Sequence, residues 1–218
     1  MDDATYDNTP QTPNRPNPRT GRRGTSRKES IRSALSTIGI LLTAPLIAVF
    51  LTVFVFQSYQ VDGASMETTL SHNDRLIVWK LPKTWSKITG HDYIPNRGDV
   101  VVFVEPALSQ FGQDPGKQLI KRVVALPGER VTVRDGRLIV YNKEHPEGFE
   151  PDKLLPYGDV IQSTSINDTW MVGPHEVFVV GDNRNNSLDS RTFGPISTQN
   201  IIGKLVMRVL PLSEMKSF

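Results

Sequence analysis

From Ala34 to Phe56 the chain carries no charged side chain, only Ser, Thr, one Gly and one Pro among aliphatic and aromatic residues. About 20 such residues cross a hydrocarbon core, and a charge at its centre costs about 2.5 to 3.5 kcal/mol on the insertion scale. The pattern therefore predicts one transmembrane helix over 34–56. Pro45 is tolerable inside such a helix. A cleavable leader has an apolar stretch of about 7 to 15 residues ending at a small-residue site. This run is longer and leads into Gln57-Ser58-Tyr59. A buried core helix would show a polar face at helical period, and none appears.

Beyond the span the pattern changes to short β-type runs separated by turns. Gly98 to Val104 follows the turn Pro95-Asn96-Arg97, and Gln118 to Leu126 ends at Pro127-Gly128. Alternation on both sides of Asp135-Gly136 predicts a hairpin over Arg130 to Asn142 with a tight turn. Glu176 to Val180 and Ile201 to Leu210 complete the set, while Glu105 to Lys117 and Lys143 to His175 read as long loops with small extra pieces. No long amphipathic helix is predicted outside the membrane, so the expected class is mainly β, an antiparallel β domain behind one N-terminal transmembrane helix.

Charge orients this arrangement. Arg19, Arg22, Arg23, Arg27, Lys28 and Arg32 precede the span against one nearby acid, Glu29, and the first basic residue after it is Arg75. The basic side stays in the cytoplasm. The expected organisation is a basic cytoplasmic tail over 1–33, the span over 34–56, and an extracytoplasmic domain over 57–218. Residues 1–30 are rich in Pro, Asn, Thr and Arg with almost no aliphatics, a composition that does not offset the entropy of ordering. Beside a membrane span the basic cluster is a topology signal or a lipid-headgroup contact, so the lipid bilayer is an expected partner and nucleic acid is not.

Composition excludes several chemistries. The chain has no cysteine, hence no disulfide, no Cys-ligated zinc and no thiol nucleophile. His72, His91, His145 and His175 are scattered without ligand spacing, and no phosphate-cradling glycine motif occurs. Neither a metal nor another cofactor is expected.

Ser65 lies nine positions (65 minus 56) beyond the apolar run. Even fully extended, at about 3.3 Å per residue, that connection reaches at most roughly 30 Å, so chemistry at Ser65 occurs near the bilayer surface. A serine nucleophile needs a base, and lysine is the known alternative to histidine. Lys121 sits in Leu119-Ile120-Lys121-Arg122-Val123-Val124, a run apolar enough to bury it. Burial lowers a lysine pKa by desolvating the charged form. An unperturbed amine with pKa near 10.4 would be only about 0.4% neutral at pH 8.

Four ordered segments then carry a resemblance: Ser65-Met66-Glu67-Thr68-Thr69-Leu70 after the span, Gly98-Asp99-Val100-Val101, Lys121 to Glu129, and Gly181-Asp182-Asn183-Arg184-Asn185-Asn186-Ser187-Leu188-Asp189-Ser190-Arg191. Over about residues 34–210 the chain resembles the type I signal peptidases of bacteria. The family pattern has Pro where Thr68 stands, a departure that removes no reactive group.

The resemblance implies an antiparallel β catalytic domain of the signal-peptidase/LexA-like type. It implies a membrane-bound serine endopeptidase that cleaves N-terminal signal peptides from exported preproteins after small residues of Ala-x-Ala type. Ser65 would be the nucleophile, Lys121 the general base, and Ser187 the residue that orients Lys121. The oxyanion would be met by the backbone N–H groups of Ser65 and Gly63. Arg122 with Asp182, and Asp189 with Arg191, would hold the site in shape. Val61, Met66, Leu76, Leu119 and Ile120 would line substrate pockets. The expected protein is a monomer, single-pass in the cytoplasmic membrane, with preprotein signal peptides as its partners.

Other functions compete with this one. A self-cleaving repressor with the same dyad would carry a DNA-binding helix-turn-helix in place of the span. A catalytically silent, membrane-tethered domain that binds exported chains would resist acyl-enzyme trapping at Ser65. Ser213-Glu214-Met215-Lys216 matches a penicillin-binding motif but has no following domain.

Overall fold

The structure is a computed structural model and describes residues 27–90, 92–154, 160 and 167–218. Most of the expected tail, and His91, lie outside the described residues. Two compact units are present, Met1–Pro45 and Leu46–Phe218.

Helix α1 covers Arg27–Phe50 and is followed by a π-helical turn, Leu51–Val55. It starts inside the segment expected as tail. Thr43 and Thr52 return their hydroxyls to the Gly39 and Ala48 carbonyls, at 2.6 and 2.9 Å, which satisfies both inside an apolar stretch. Among the described residues no helix is long and apolar enough to cross a membrane. The described aliphatic side chains from Leu35 to Val49 are nonetheless more than half exposed.

The second unit contains β1 (Phe56–Gln60), β2 (Arg75–Trp79), α2 (Leu81–Thr89), β3 (Val100–Val104), β4 (Gln118–Ala125), β5 (Arg130–Arg134), β6 (Arg137–Tyr141), α3 (Pro151–Leu154), β7 (Asp168–Met171), β8 (Glu176–Val180), α4 (Ser190–Phe193), β9 (Ile196–Ser197), β10 (Ile201–Leu210) and β11 (Lys216–Ser217). The large sheet runs β1-β2-β10-β3-β4-β8-β9 with β11 on β10, and the small one runs β6-β5-β7. Every strand pair is antiparallel, in keeping with the mainly β expectation.

Sequence pattern explains the placement of strands. The continuous apolar runs of β3, β4 and β8 are buried along most of their length and occupy the middle of the large sheet. By contrast β5 and β6 alternate buried with less buried positions and form the two-stranded part of the small sheet. Their two-residue loop has both φ angles positive, Asp135 at 48° and Gly136 at 76°, as a primed hairpin turn requires.

Strands β1, β2, β9 and β11 lie outside the runs expected as strands, and two further elements differ from the sequence pattern. Strand β7 falls inside the segment read as a long loop with small extra pieces, because four residues offer only two periods of alternation. Tertiary packing stabilises it: Trp170 packs tilted against Phe178 at 5.2 Å between centroids. Helix α2 is amphipathic but only nine residues long, with Pro in its first turn and Gly90 closing it at φ 73°. Its apolar residues Leu81, Trp85 and Ile88 recur at helical spacing, yet all three are exposed. Lys83 points inward instead and donates to the Thr198 carbonyl at 3.0 Å.

Candidate active site

The nucleophile candidate is carried by a turn held at both ends. Val61 N–H donates to the Asp74 carbonyl and Asn73 N–H to the Val61 carbonyl, both at 2.9 Å, which closes the loop between β1 and β2. Inside it, Leu70 N–H donates to the Met66 carbonyl at 2.8 Å, forming one helical turn. Met66 and Leu70 are fully buried beside Val61, Leu76, Val100 and Leu205. Burying a side chain of that size is worth about 1.5 to 3 kcal/mol, so the two anchor the turn that begins at Ser65.

Lys121 stands in the middle of β4, opposite Val101 of β3. Its Nζ lies 2.7 Å from Ser65 Oγ and 2.9 Å from the Ile120 carbonyl oxygen. Only 3% of the residue is exposed. Burial lowers its pKa from 10.5 to about 8, against the upward pull of Asp189 and Asp182 and with smaller downward pushes from Lys117 and Arg191. Desolvation outweighs the two carboxylates, and roughly half of the amine is then neutral near pH 8.

The next residue, Arg122, points to the opposite side of the sheet. Its Nε and Nη2 grip Asp182 at 2.8 and 2.7 Å, its Nη1 donates to the Gly98 carbonyl at 2.8 Å, and Thr69 adds its hydroxyl to Asp182 at 2.5 Å. The bidentate fork ties the nucleophile turn, β4 and the 181–191 loop together. Asp189 is similarly enclosed, taking Arg191 Nε and Nη2 at 2.9 and 2.8 Å and the Gly181 N–H at 2.9 Å. The sequence contained no signal for a third pair, Arg184 with Asp152, both nitrogens at 2.6 Å from the carboxylate.

The 181–191 loop also touches the nucleophile directly, through Asn183 N–H to the Ser65 carbonyl at 3.1 Å. Gly181 packs where a Cβ would overlap both that carbonyl oxygen and Ser187 Oγ. Gly181→Ala is therefore expected to cost about 1 to 3 kcal/mol of stability and to displace Ser65. Thermal melting and turnover check it: a variant with native values of both would remove the steric argument. Ser187 Oγ is buried without a hydrogen-bond partner. The expected bond to Lys121 is not formed, because the Nζ contacts seen are to Ser65 and Ile120.

A cleft of about 510 Å³ opens beside Ser65 and Lys121. Val61, Leu76, Leu119 and Ile120 line it, as do Tyr59, Val102 and Leu108, which sequence reasoning did not single out. Met66 does not reach the cleft; it belongs to the core beneath the turn, with no exposed surface. Gly63 forms part of the wall, and its N–H donates to His72 Nδ1 at 3.2 Å. Among the described residues no group of His, Asp or Glu is arranged to hold a metal ion.

A serine hydroxyl against a buried lysine amine, in a cleft beside buried ion pairs, is an arrangement that serine hydrolases use. The family described as "Signal peptidase, peptidase S26" matches residues 34–210. Among curated proteins, "Probable signal peptidase I-1" of Synechocystis sp. is 38% identical over 178 residues, covering 81% of this chain and 82% of that one. "Signal peptidase I" of Leptolyngbya laminosa is 35% identical over 191 residues, covering 85% and 82%. "Signal peptidase I V" of Bacillus subtilis is 38% identical over 154 residues, covering 68% and 83%. The chain belongs to the S26 signal peptidase family and is a serine peptidase of the type I kind.

Proposed function

We propose that this protein is a Ser/Lys endopeptidase that removes signal peptides from exported preproteins after Ala-x-Ala-type sites at the outer face of the cytoplasmic membrane. The observation that carries the reading is the 2.7 Å contact between the buried Lys121 Nζ and Ser65 Oγ at the wall of the cleft. Neutral Lys121 takes the Ser65 proton as Oγ attacks the scissile carbonyl carbon. The resulting ammonium gives that proton to the departing amine as the C–N bond breaks, leaving an acyl-enzyme ester. A water then attacks the ester with Lys121 again as base, which frees the new carboxyl terminus and restores Ser65. The backbone N–H groups of Ser65 and Gly63 serve as oxyanion donors.

Small side chains suit the cleft because Leu108 and Val102 add apolar bulk beside Val61, Leu76, Leu119 and Ile120. Ser187 makes no bond to Lys121 in the resting site; its buried, unpartnered hydroxyl, carried by the loop that contacts the Ser65 carbonyl, is the group we assign to orient the amine during turnover. Arg122 with Asp182 and Asp189 with Arg191 keep that loop in place. Ser187→Ala is expected to slow turnover about 5- to 150-fold, the equivalent of one to three kcal/mol in the barrier. A loss as large as that of Lys121→Ala would give Ser187 a direct chemical part instead.

For the membrane, the support is the uncharged run 34–56 with its basic N-terminal flank. Exposed Phe50, Leu51, Phe54 and Phe56, together with Leu81, Trp85 and Ile88 on α2, favour contact with the lipid interface. Thr84 Oγ1 donates to the Phe54 carbonyl at 3.3 Å and ties α2 to this end of the chain. The dyad and cleft are built from one chain, which supports action as a monomer, and the basic residues before the run support a cytoplasmic N-terminus. Incubation of the detergent-solubilised protein with a preprotein whose signal ends in Ala-x-Ala, followed by mass analysis, tests the activity. A cut elsewhere, or none, would overturn it. Protease added to intact protoplasts is expected to reach the region after Gln57, and protection until lysis would reverse the orientation.

A further inference from the structure

The closed loop between β1 and β2 that carries the nucleophile also holds, seven positions after Ser65, a histidine that the dyad does not use. His72 lies beyond the helical turn, and its backbone is fixed by the Asn73 N–H bond to the Val61 carbonyl. Its Nδ1 accepts the Gly63 N–H at 3.2 Å, so the ring in this geometry is neutral with its proton on Nε2. The Asp62 carboxylate stands 3.6 Å from the same Nδ1 and is the charged group within ion-pairing distance of the imidazole among the described residues. The His72 side chain is 56% exposed, so solvent protons reach it.

An N–H that donates to an imidazole is not also delivered at full strength to an oxyanion. No heavy atom lies within 4 Å of where a Gly63 Cβ would be, and its φ is 100°. Glycine alone tolerates that backbone region freely. We infer that His72 is a positioning residue that latches the Gly63 N–H: the neutral ring engages it, and protonation at Nδ1 turns the acceptor into a donor, passes the ring to Asp62 and releases the N–H to the cleft. The inference rests on the reading of Gly63 as an oxyanion donor. The balance is simple: one proton moves from solvent to Nδ1, one N–H···N bond is lost, and an imidazolium-carboxylate pair is gained. Histidine is the side chain whose charge changes between about pH 5 and 8.

Comparison of variants at equal pH removes the Lys121 titration, which the proteins share. With the full chain and an Ala-x-Ala preprotein, His72→Phe abolishes the latch, while His72→Asn keeps a neutral acceptor that does not titrate. The kcat ratio of His72→Phe to wild type is expected to be about 2- to 10-fold at pH 9, the worth of one ordinary hydrogen bond. It should fall towards one at pH 6. The His72→Asn ratio should be near one at pH 9 and below one at pH 6. KM should not move, because the oxyanion exists only beyond the ground state.

A second readout needs no activity: the Gly63 amide proton shift in the 15N-labelled chain should differ between pH 9 and pH 6 in wild type and stay flat in His72→Asn. Ratios independent of pH, or a His72→Phe variant slower than wild type at pH 9, would overturn the latch and leave His72 as a support of the turn. Cleavage that survives Ser65→Ala would instead overturn the underlying reading of the site.

Discussion

Ser65→Ala and Lys121→Ala are each expected to reduce preprotein cleavage by on the order of 10,000-fold or more, and the double variant should be no slower than either single one. Nucleophile and base act in one step. Without Ser65 there is no hydroxyl to deprotonate, and without Lys121 the amine 2.7 Å from Oγ that would take its proton is gone. Neither residue carries the fold. The turn at Ser65 is anchored by Met66 and Leu70, and β4 is held by its pairing with β3 and β8. Circular dichroism and thermal melting should therefore show a folded domain in all three variants, with the loss confined to turnover. Near-native cleavage by Ser65→Ala would remove Ser65 from the chemistry.

Much of the frame that brings these residues together was legible in the chain. The apolar runs at 100–104 and 176–180 and the Asp135-Gly136 hairpin carry their structure locally, in β-branched density and in turn residues that accept positive φ. Ser65 and Lys121 are 56 positions apart, and what joins them is the register of β3 on β4 together with the closed loop between β1 and β2. Neither register nor loop closure can be read from periodicity. The motif resemblance supplied that link.

Where the reading stopped, tertiary packing decides the outcome. Met66 and Ile120 look alike as apolar neighbours of reactive residues, yet one faces the core and the other the cleft. A helical turn of five residues has no period long enough to tell its faces apart. Leu108 reaches the cleft from the 3-10 helix Pro106–Phe111, in a segment with no pattern of its own. Asp152 joins Arg184 from a similarly silent stretch, 32 positions away. The contact of Gly63 with His72 depends on a backbone N–H, which every non-proline residue possesses and no composition reveals.

The buried amine should leave opposite signatures in activity and in stability. Its pKa is about 8 in the folded protein and 10.5 where it is solvated. Activity rises with pH through about 8, as the neutral base accumulates, and Lys121→Arg should be inactive at every pH because guanidinium holds its proton above pH 12. For stability, the unfolded chain binds more protons than the folded one between about pH 8 and 10.5. Wild-type stability should therefore increase with pH across that window, and the full penalty of burying the charge applies below it. Lys121→Met, which keeps the volume and removes the charge, is expected to be more stable than wild type by up to about 3 kcal/mol at pH 6, with the gap closing above pH 10.5. Denaturant midpoints at pH 6 and pH 10.5 decide it. A Lys121→Met variant less stable than wild type at pH 6 would mean that the amine is held charged and well paired at neutral pH, and an acid limb of kcat/KM near pH 4 would assign the base to a carboxylate.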